Sequence, residues 1–532
     1  MSAASVEGLG DSREVKVAKG SSTSPMVQNL SRRSFLRTAA LSSAGLAFAS
    51  KIRGQPAKLP RKPSLIVFLP DQQRADTIAC YGNGRVHSPN LNKLASQSFV
   101  FEQAYVTQPV CTPSRSSLMT GMWPHQTTCT YNNTALPAHL QCLPELIDDA
   151  DYRCAYFGKW HLGDEVFAQH GFHEWASIID DYQKTFSPGR DRKSLSDYNK
   201  FLVSKGIKPD KRKRNSFSRT FVTRLPIELS KPRFLEMKAC DFLQRHARDP
   251  FVLFVAFFEP HPPYNGPLNN EHLLDEIDLD PTVSHVFNTD IPLRYRLRQQ
   301  EDAAQFGTSA DDYRRVKQRY LGLVTEVDQS IGAILLQLEK LGITDNTIVI
   351  HTSDHGDMMG AHRLFGKYVM YQEAARVPYL VRMPNQRQAV SIQQVVSHID
   401  FLPTILDLLG QSAHERLAGT SRSPLLRGGS MLAETVFLEW GRSDRLSARE
   451  RKSAAKSEEV MRAMNESTRA AITPDGWKIC LRDADKNELY YLRSDPGELE
   501  NLYYRAESKE VIARLSGQIH RWQEGVGDTL KV

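Results

Sequence analysis

The sequence has few cysteines, and no two of them form a C-x-x-C pair. Its 532 residues include seven cysteines, an odd number that leaves at least one thiol unpaired in an exported protein. Their spacing determines no disulfide connectivity, and free buried thiols are the expected state for most of them. The seven are Cys80, Cys111, Cys129, Cys142, Cys154, Cys240 and Cys480.

The chain also lacks a large excess of charge of either sign. The formal net charge is +7, and residues 1–49 alone hold six basic and three acidic side chains, leaving 62 basic against 58 acidic residues in the remainder. This excess is too small to predict a nucleic-acid partner. It is compatible with an anionic substrate without requiring one.

Long hydrophobic runs are missing as well. No uninterrupted apolar stretch reaches the roughly eighteen residues that span a bilayer, so we predict no stable membrane span. No internal repeat is evident. With 40% hydrophobic and 24% charged residues, the composition is that of a globular protein with one large domain and a smaller one.

The N-terminal region has the sequence pattern of a targeting signal. Ser31-Arg32-Arg33-Ser34-Phe35-Leu36-Arg37 precedes a mildly apolar segment that ends in Ala47-Phe48-Ala49. This order resembles a twin-arginine export signal with its A-x-A cleavage site. The resemblance implies a signal over residues 1–49, the twin-arginine export machinery as a partner, and a periplasmic or secreted location. A short basic helix in a tail is the alternative.

Three buried strands are predicted to end in polar residues. After a linker over residues 50–63, the apolar run Leu65–Leu69 leads into Asp71 and Gln72. Phe251–Phe258 leads into His261, and Thr347–His351 leads into Asp354 and His355. In open α/β sheets the site lies beyond the carboxyl ends of the strands, so these side chains are expected to meet.

The remaining pattern predicts the fold class. Apolar residues recur at helical spacing over 320–341, a strand is expected over 377–383 and a helix over 400–409. Beyond residue 410 the sequence changes to short strands. We therefore predict an α/β domain over residues 64–410, with a large, mixed and mostly parallel sheet flanked by helices. A smaller antiparallel-sheet subdomain is predicted over residues 411–532.

The most specific motif is Cys111-Thr112-Pro113-Ser114-Arg115, followed by a small apolar run and Thr120-Gly121. It resembles the signature of type I sulfatases, enzymes of the alkaline-phosphatase-like superfamily in which this cysteine becomes formylglycine. The resemblance implies a formylglycine-generating maturation enzyme as a partner. It also implies that the hydrated aldehyde at position 111 attacks sulfur and later expels sulfate.

Two more segments resemble the same family. They are Gly158-Lys159-Trp160-His161-Leu162-Gly163 and the stretch ending in Gly366-Lys367. The resemblance implies that Arg115 holds the diol, Lys159 and Lys367 bind sulfate, His161 removes the proton that lets the diol collapse, and His261 protonates the leaving oxygen.

The resemblance also implies a metal site. Its ligands would be Asp71, Gln72, Asp354 and His355, with the nucleophile at Cys111. Oxygen ligands favour Ca²⁺ or Mg²⁺. Gln72 in place of a carboxylate removes a negative charge, and the imidazole of His355 shifts the preference toward Mn²⁺ or Zn²⁺. Calcium is the first expectation and the other three ions are alternatives.

These features predict an exported sulfatase that hydrolyses a sulfate monoester on a small molecule or carbohydrate, with a sulfated glycan as the expected substrate. Gln72 and His355 resemble the branch with choline-sulfatase-like enzymes and phosphonate monoester hydrolases, so a phosphonate monoester or phosphodiester hydrolase is an alternative. A non-catalytic sulfoglycan-binding protein with unmodified Cys111 is another. The basic segment Lys208–Arg214 is expected to be a solvated loop, or else to rim the pocket.

Overall fold

The computed structural model describes most of the chain after the predicted linker. The described residues are 62–211, 215–284, 290–412, 414–441 and 457–532. The predicted export signal over 1–49 and residues 50–61 of the linker lie outside them, as do residues 212–214 of the basic segment.

A nine-stranded mixed sheet forms the centre of the fold. Its strands are β1 (Ser64–Phe68), β2 (Phe99–Tyr105), β3 (Arg153–Gly158), β4 (Glu174–Ala176), β5 (Phe251–Ala256), β6 (Thr347–Thr352), β7 (Arg376–Val377), β8 (Tyr379–Arg382) and β9 (Val390–Ser397). The order is β4-β3-β5-β1-β6-β8-β2-β7, and β9 also pairs with β2. Pairing is parallel from β4 through β6 and between β2 and β9, whereas β8 is antiparallel to both its neighbours.

Helices cover both faces of this sheet. In chain order they are α1 (Pro89–Ala95), α2 (Cys111–Thr120), α3 (Pro124–Thr127), α4 (Leu143–Leu146), α5 (Asp197–Ser204), α6 (Arg219–Val222), α7 (Lys231–His246), α8 (Leu293–Phe306), α9 (Ala310–Lys340), α10 (Gln372–Ala375), α11 (Phe401–Leu408) and α12 (Ser423–Leu426). Alternate residues of β1 point to opposite faces, with Leu65 and Val67 in one core and Ile66 and Phe68 in the other. This two-sided burial explains the uninterrupted apolar run of the strand.

The longest helix, α9, is a core helix. By length and composition alone it would pass as a membrane span, but 67% of its apolar window is buried within the fold. Ser309 caps its first turn by accepting a hydrogen bond from the backbone N–H of Asp312. Val327, Ile331, Ile334 and Leu338 pack on the sheet, as their spacing in the sequence indicates.

A four-stranded antiparallel sheet forms the smaller C-terminal unit. It contains β10 (Val436–Trp440), β11 (Thr468–Ile472), β12 (Trp477–Arg482) and β13 (Glu488–Tyr491), in that order, together with α13 (Glu458–Met464) and α14 (Lys509–Val526). Leu515 and Ile519 of α14 pack on the sheet. Arg469 of β11 forms a buried bidentate ion pair with Asp528, with distances of 2.6 and 3.0 Å.

The predicted fold class is confirmed: a large mixed sheet flanked by helices is accompanied by a small antiparallel sheet. The strand expected over 377–383 is divided in two, as β7 and β8, because Pro378 has no N–H for the sheet ladder. The proposed boundary at residue 410 stays a prediction.

Candidate active site

Four adjacent parallel strands deliver the predicted residues to one edge of the sheet. In the order β3-β5-β1-β6, their carboxyl ends lead into Lys159, His261, Asp71 and Asp354. Asp71 also forms an isolated parallel bridge with Pro260, which continues the pairing of β1 with β5 beyond the strand ends. Loops that are distant in sequence therefore converge, as expected for open α/β sheets.

Cys111 is the first residue of α2 and is completely buried. Its Sγ lies 2.9 Å from Lys367 Nζ, 3.3 Å from His355 Nε2, 3.4 Å from Lys159 Nζ and 3.8 Å from Asp71 Oδ1. Burial and Asp71 raise the pKa of the thiol, but the two ammonium groups outweigh them and lower it to about 7. The surroundings of position 111 thus stabilise a negatively charged group.

Two buried carboxylates lie beside this position, and Arg115 links them. Its Nε donates to Asp354 Oδ2 at 2.7 Å, and its Nη2 lies 3.4 Å from Asp71 Oδ2. Lys159 Nζ also donates to Asp71 Oδ2. Burial works against ionisation of Asp71, yet the charges of Lys159, His261, Lys367 and Arg115 hold its pKa well below the usual value. Arg115 thus contacts the carboxylates, one turn away from the nucleophile position.

His355 has the orientation of a metal ligand. Its Nδ1 donates to the carbonyl of Gly356 at 2.8 Å, so Nε2 carries the lone pair when the ring is neutral. Burial opposes protonation, but the charge of Asp354 raises the pKa of this ring. Nε2 lies 3.7 Å from Asp71 Oδ1 and 3.6 Å from Asp354 Oδ1. Asp71, Cys111, Asp354 and His355 form a group whose ligand atoms all lie within 4.8 Å of one another. Two carboxylates and an imidazole facing one point fit a divalent cation, which would bind the neutral form of the ring.

Gln72 is held by groups on three sides. Its Oε1 accepts from Lys367 Nζ at 2.8 Å, and its Nε2 donates to Asp357 Oδ2 at 2.5 Å and lies 3.2 Å from the hydroxyl of Tyr264. Tyr264 also donates to Asp357 Oδ2 at 2.5 Å. The amide oxygen therefore points toward the lysine, and Asp357 fixes this orientation.

His161 is fixed by its backbone and by its ring. Both its own N–H and that of Trp160 donate to the carboxylate of Glu165, at 2.7 and 3.0 Å. Its Nε2 lies 2.9 Å from Asn133 Oδ1, and its ring stacks on Tyr182 with centroids 4.2 Å apart. Burial, followed by the charge of Lys159, lowers its pKa well below the ordinary value. The ring is therefore neutral at pH 7, with one of its two nitrogens free of hydrogen.

His261 stands at the rim, half-buried. Its Nδ1 donates to the carbonyl of Pro262 at 2.7 Å, so Nε2 is the ring nitrogen that this hydrogen bond does not use. Burial and repulsion by Lys367 lower its pKa well below the ordinary value, and Asp71 opposes this only in part. A bound anionic substrate would offset the positive charges of Lys367 and Lys159, and this would favour the protonated form of the His261 ring.

Three further histidines have structural partners. His125 Nδ1 lies 2.6 Å from Glu439 Oε1, and His398 Nε2 lies 2.9 Å from Thr352 Oγ1. His362 stacks on Tyr371 at 3.8 Å. The motifs did not predict Tyr264, Asp357, Asn133 or Tyr182. Only Asp357, three residues after Asp354, had a signal in the sequence.

The family model described as Sulfatase matches residues 63–411. The chain belongs to the sulfatase family. It is a sulfuric ester hydrolase, as the sequence predicts.

Two curated relatives are sulfatases whose names include a carbohydrate. The ulvan-active sulfatase of Formosa agariphila is 28% identical over 374 residues, which cover 69% of this chain and 66% of that protein. The N-acetylglucosamine-6-O-sulfatase of Bacteroides thetaiotaomicron is 25% identical over 546 residues and covers 90% of each chain.

The fold also occurs in a solved structure of a different hydrolase. The phosphonate monoester hydrolase of Agrobacterium radiobacter superposes with a TM-score of 0.70 at 19% identity, over 87% of this chain and 96% of that one. At this identity the likeness concerns the fold, which is alkaline-phosphatase-like.

Proposed function

We propose that this sulfatase cleaves a sulfate monoester with an oxygen nucleophile made from Cys111. The observation that carries the proposal is the set of contacts around Sγ: two ammonium groups, an imidazole and a carboxylate all lie within 3.8 Å of it. A structural cysteine in a core has apolar neighbours and a raised pKa, as Cys154 does. Position 111 instead faces groups that bind an anion.

The side chains divide the chemistry among them. Lys159 and Lys367 would hold the sulfate oxygens as charge develops in the transition state. His261, with Nδ1 tied to Pro262, would present Nε2 to the leaving oxygen and deliver a proton there. His161, neutral and buried, would take the proton that allows residue 111 to release sulfate.

A divalent cation would be held by Asp71, Asp354 and His355, whose ligand atoms lie close together, with Gln72 as the fourth ligand. When bound, it would polarise the sulfate and orient the nucleophile. We propose Ca²⁺ first, because three of the four ligands offer oxygen. Arg115 and Lys159 already contact the outer oxygens of the carboxylates, Asp71 Oδ2 and Asp354 Oδ2. Asp71 Oδ1 and the second lone pair of Asp354 Oδ1, which also accepts from the backbone N–H of Gln72 at 3.0 Å, therefore remain for the ion.

We propose a sulfated carbohydrate as the substrate, and export by the twin-arginine route. The names of the two relatives support the carbohydrate, since one is active on ulvan and the other on a sulfated N-acetylglucosamine. Arg32 and Arg33 support the route. Replacing both arginines by lysine should retain the protein in the cytoplasm, and cell fractionation would test this.

Peptide mass spectrometry tests the nucleophile. Conversion of Cys111 to formylglycine lowers the mass of its peptide by about 18 Da. A protein produced with the maturation enzyme should show this loss together with release of sulfate from a panel of sulfated mono- and oligosaccharides. An unshifted peptide in a fully active enzyme would overturn the proposed nucleophile.

A phosphonate monoester or phosphodiester hydrolase is the second candidate, favoured by Gln72 and His355. Parallel assays with an aryl sulfate and a phenyl phosphonate separate the two. A phosphonate rate far above the sulfate rate would make this candidate the correct one. The sulfatase proposal requires the reverse order.

A further inference from the structure

The imidazole of His161 is held by two residues to which no role is assigned. Asn133 Oδ1 lies 2.9 Å from Nε2, and the ring of Tyr182 lies parallel to the imidazole, at 4.2 Å and 14°. We propose that Asn133 and Tyr182 are positioning residues that set the tautomer and the plane of His161, so that Nδ1 is its basic atom. The inference rests on the proposed function, because it concerns how residue 111 releases sulfate.

The tautomer follows from hydrogen-bond chemistry. A neutral imidazole has one N–H donor and one acceptor nitrogen. The amide oxygen of Asn133 can only accept, so Nε2 carries the hydrogen and the lone pair is on Nδ1. Within the described part of the chain, Nδ1 is buried and has no hydrogen-bond partner. A buried acceptor without a hydrogen-bond partner lowers the stability of the folded protein by about 1–3 kcal/mol. Such an atom therefore calls for an explanation, and a role in catalysis is one.

The backbone brings both partners into place. Asn133 and His161 have φ values of 63° and 62°, in the left-handed region. Asparagine and histidine both occur in this region more often than most side chains do. Thr112 connects the two loops to the nucleophile, since its Oγ1 donates to the carbonyl of His161 at 3.0 Å and accepts from the N–H of Asn133 at 3.2 Å. The histidine and its partner are thus both anchored on the residue after Cys111.

Tyr182 fixes the plane of the ring and is itself held by a chain of polar contacts. Its hydroxyl accepts from Arg219 at 3.2 Å, and Arg219 Nε donates to Asp181 at 2.8 Å. Lys211 Nζ donates to the other oxygen of Asp181 at 3.2 Å. Lys211, a described residue of the segment Lys208–Arg214, therefore belongs to this series of polar contacts behind Tyr182. Rotation of the imidazole about its Cβ–Cγ bond would break the stacking on Tyr182 and the contact to Asn133 together.

The step that depends on this geometry is the release of sulfate. The remaining hydroxyl on the carbon at position 111 gives its proton to Nδ1 of His161. The electron pair of that O–H bond closes the carbonyl, the bond from carbon to the sulfate oxygen breaks, and sulfate leaves with the bonding pair. A histidine with its hydrogen on Nδ1 would have no lone pair at this atom. Loss of Asn133 or Tyr182 should therefore slow release without slowing the first attack.

Rapid-quench kinetics with an aryl sulfate test the inference. Asn133→Gly keeps the left-handed backbone but removes the acceptor, whereas Asn133→Asp keeps both. We expect Asn133→Gly and Tyr182→Leu to lower kcat ~10-fold or more, with a burst of about one phenol per converted site. Asn133→Asp and Tyr182→Phe should keep at least half of the wild-type kcat and show no new burst.

Mass spectrometry of quenched enzyme gives a readout independent of turnover. In the two impaired variants the peptide containing residue 111 should carry one sulfuryl group. Phe221→Leu is the matched control, because Phe221 stacks on Phe217 in the same region without contacting His161. Its kcat should stay within twofold of the wild type, without a trapped sulfate.

Ring ¹⁵N NMR of histidine-labelled protein reports the tautomer directly. His161, assigned by its absence in His161→Gln, should show hydrogen on Nε2 in the wild type and mixed tautomers in Asn133→Gly. This holds even in unconverted protein, so a failed proposal for the nucleophile would leave this result intact. A wild-type Nδ1–H signal, or impaired variants with reduced kcat but neither burst nor trapped sulfate, would overturn the inference.

Discussion

Lys367 Nζ lies 2.9 Å from Cys111 Sγ, although 256 residues of chain separate the two. The same ammonium donates to Gln72 Oε1 at 2.8 Å, so one lysine connects the nucleophile position with a proposed metal ligand. No stretch of local sequence could create this contact. It depends on the loop after β6 returning to the N-terminus of α2.

Removal of this ammonium should weaken catalysis more than substrate binding. We expect Lys367→Ala to lower kcat by about 10²–10³-fold with a smaller change in KM, since a fixed cation next to the developing charge is lost. Steady-state kinetics on an aryl sulfate measure this effect. The content of formylglycine must be determined alongside. A loss of activity that only follows incomplete conversion at position 111 would contradict the direct role.

The role of His261 predicts a dependence on the leaving group. His261→Ala should slow hydrolysis of an alkyl or sugar sulfate by about 10²–10³-fold, because a poor leaving group needs a proton. Hydrolysis of 4-nitrophenyl sulfate should change about 10-fold or less, since nitrophenolate leaves without protonation. A series of aryl sulfates with graded leaving-group pKa values gives the slope. Equal losses across the series would argue against proton donation.

Gln72→Glu should destabilise the protein at neutral pH. The new carboxylate oxygen would face Asp357 Oδ2 at the present 2.5 Å, and repulsion between the two would raise the pKa of the new carboxyl group. We expect a loss of about 2 kcal/mol in the free energy of unfolding at pH 7.5, recovered as the pH falls toward 5 and the new carboxyl group takes up a proton. Thermal melting across this range measures it. Gln72→Glu with Asp357→Asn restores a carboxylate–amide pair and should recover most of the stability.

The buried ion pair of the C-terminal unit should matter far more than an exposed one. Asp528→Ala leaves Arg469 unpaired and should cost about 3–5 kcal/mol in the free energy of unfolding. Asp475→Ala, which removes an exposed partner of Arg514, should cost less than about 1 kcal/mol. Urea denaturation compares the two variants.

This contribution has a defined pH dependence. Burial opposes ionisation of Asp528, but the hydrogen bond and charge of Arg469 lower its pKa below the ordinary value. Its stabilisation is therefore present above the unfolded carboxyl pKa and is lost as the pH falls through the lowered value. The difference in the free energy of unfolding between Asp528→Ala and the wild type should accordingly become smaller at acidic pH.

Metal removal should lower both activity and melting temperature. A cation that binds only the folded state stabilises it by about 2.7 kcal/mol at a concentration a hundredfold above Kd. Protein that has been treated with a chelator should regain this stabilisation when Ca²⁺ is added, as a rise in melting temperature in a thermal shift assay. In His355→Asn the response to Mn²⁺ should fall relative to that to Ca²⁺, because an imidazole favours transition metals. Equal responses to Ca²⁺ in wild type and Asp71→Ala would place the ion elsewhere.

The sequence allowed the strands and the charged residues behind them to be predicted, because both follow local rules. The apolar runs that became β1, β5 and β6 are buried on both faces, and polar residues follow each of them directly. β2, β3, β4, β9 and β11 went unpredicted. Phe99–Tyr105 mixes buried and half-buried residues and contains Glu102 and Gln103, so it lacks the continuous apolar run that marks a central strand.

The groups that orient the site could not be predicted for a related reason. Asp357 and Tyr264 act on Gln72 across 285 and 192 residues of chain, and Asn133 reaches His161 from a loop without a motif. These three residues act by orienting the side chains of Gln72 and His161 through hydrogen bonds. The geometry of such hydrogen bonds depends on the packing of loops against one another, which residue types and spacing do not determine.

The complete burial of Cys111 sets an order of events during synthesis. The groups that enclose it include His355 and Lys367, which the ribosome adds long after the cysteine. At about 5–20 residues per second, the 256 residues between Cys111 and Lys367 take roughly 10–50 s to make. Any enzyme that converts this cysteine has at least that interval in which the thiol is not yet enclosed by the rest of its site.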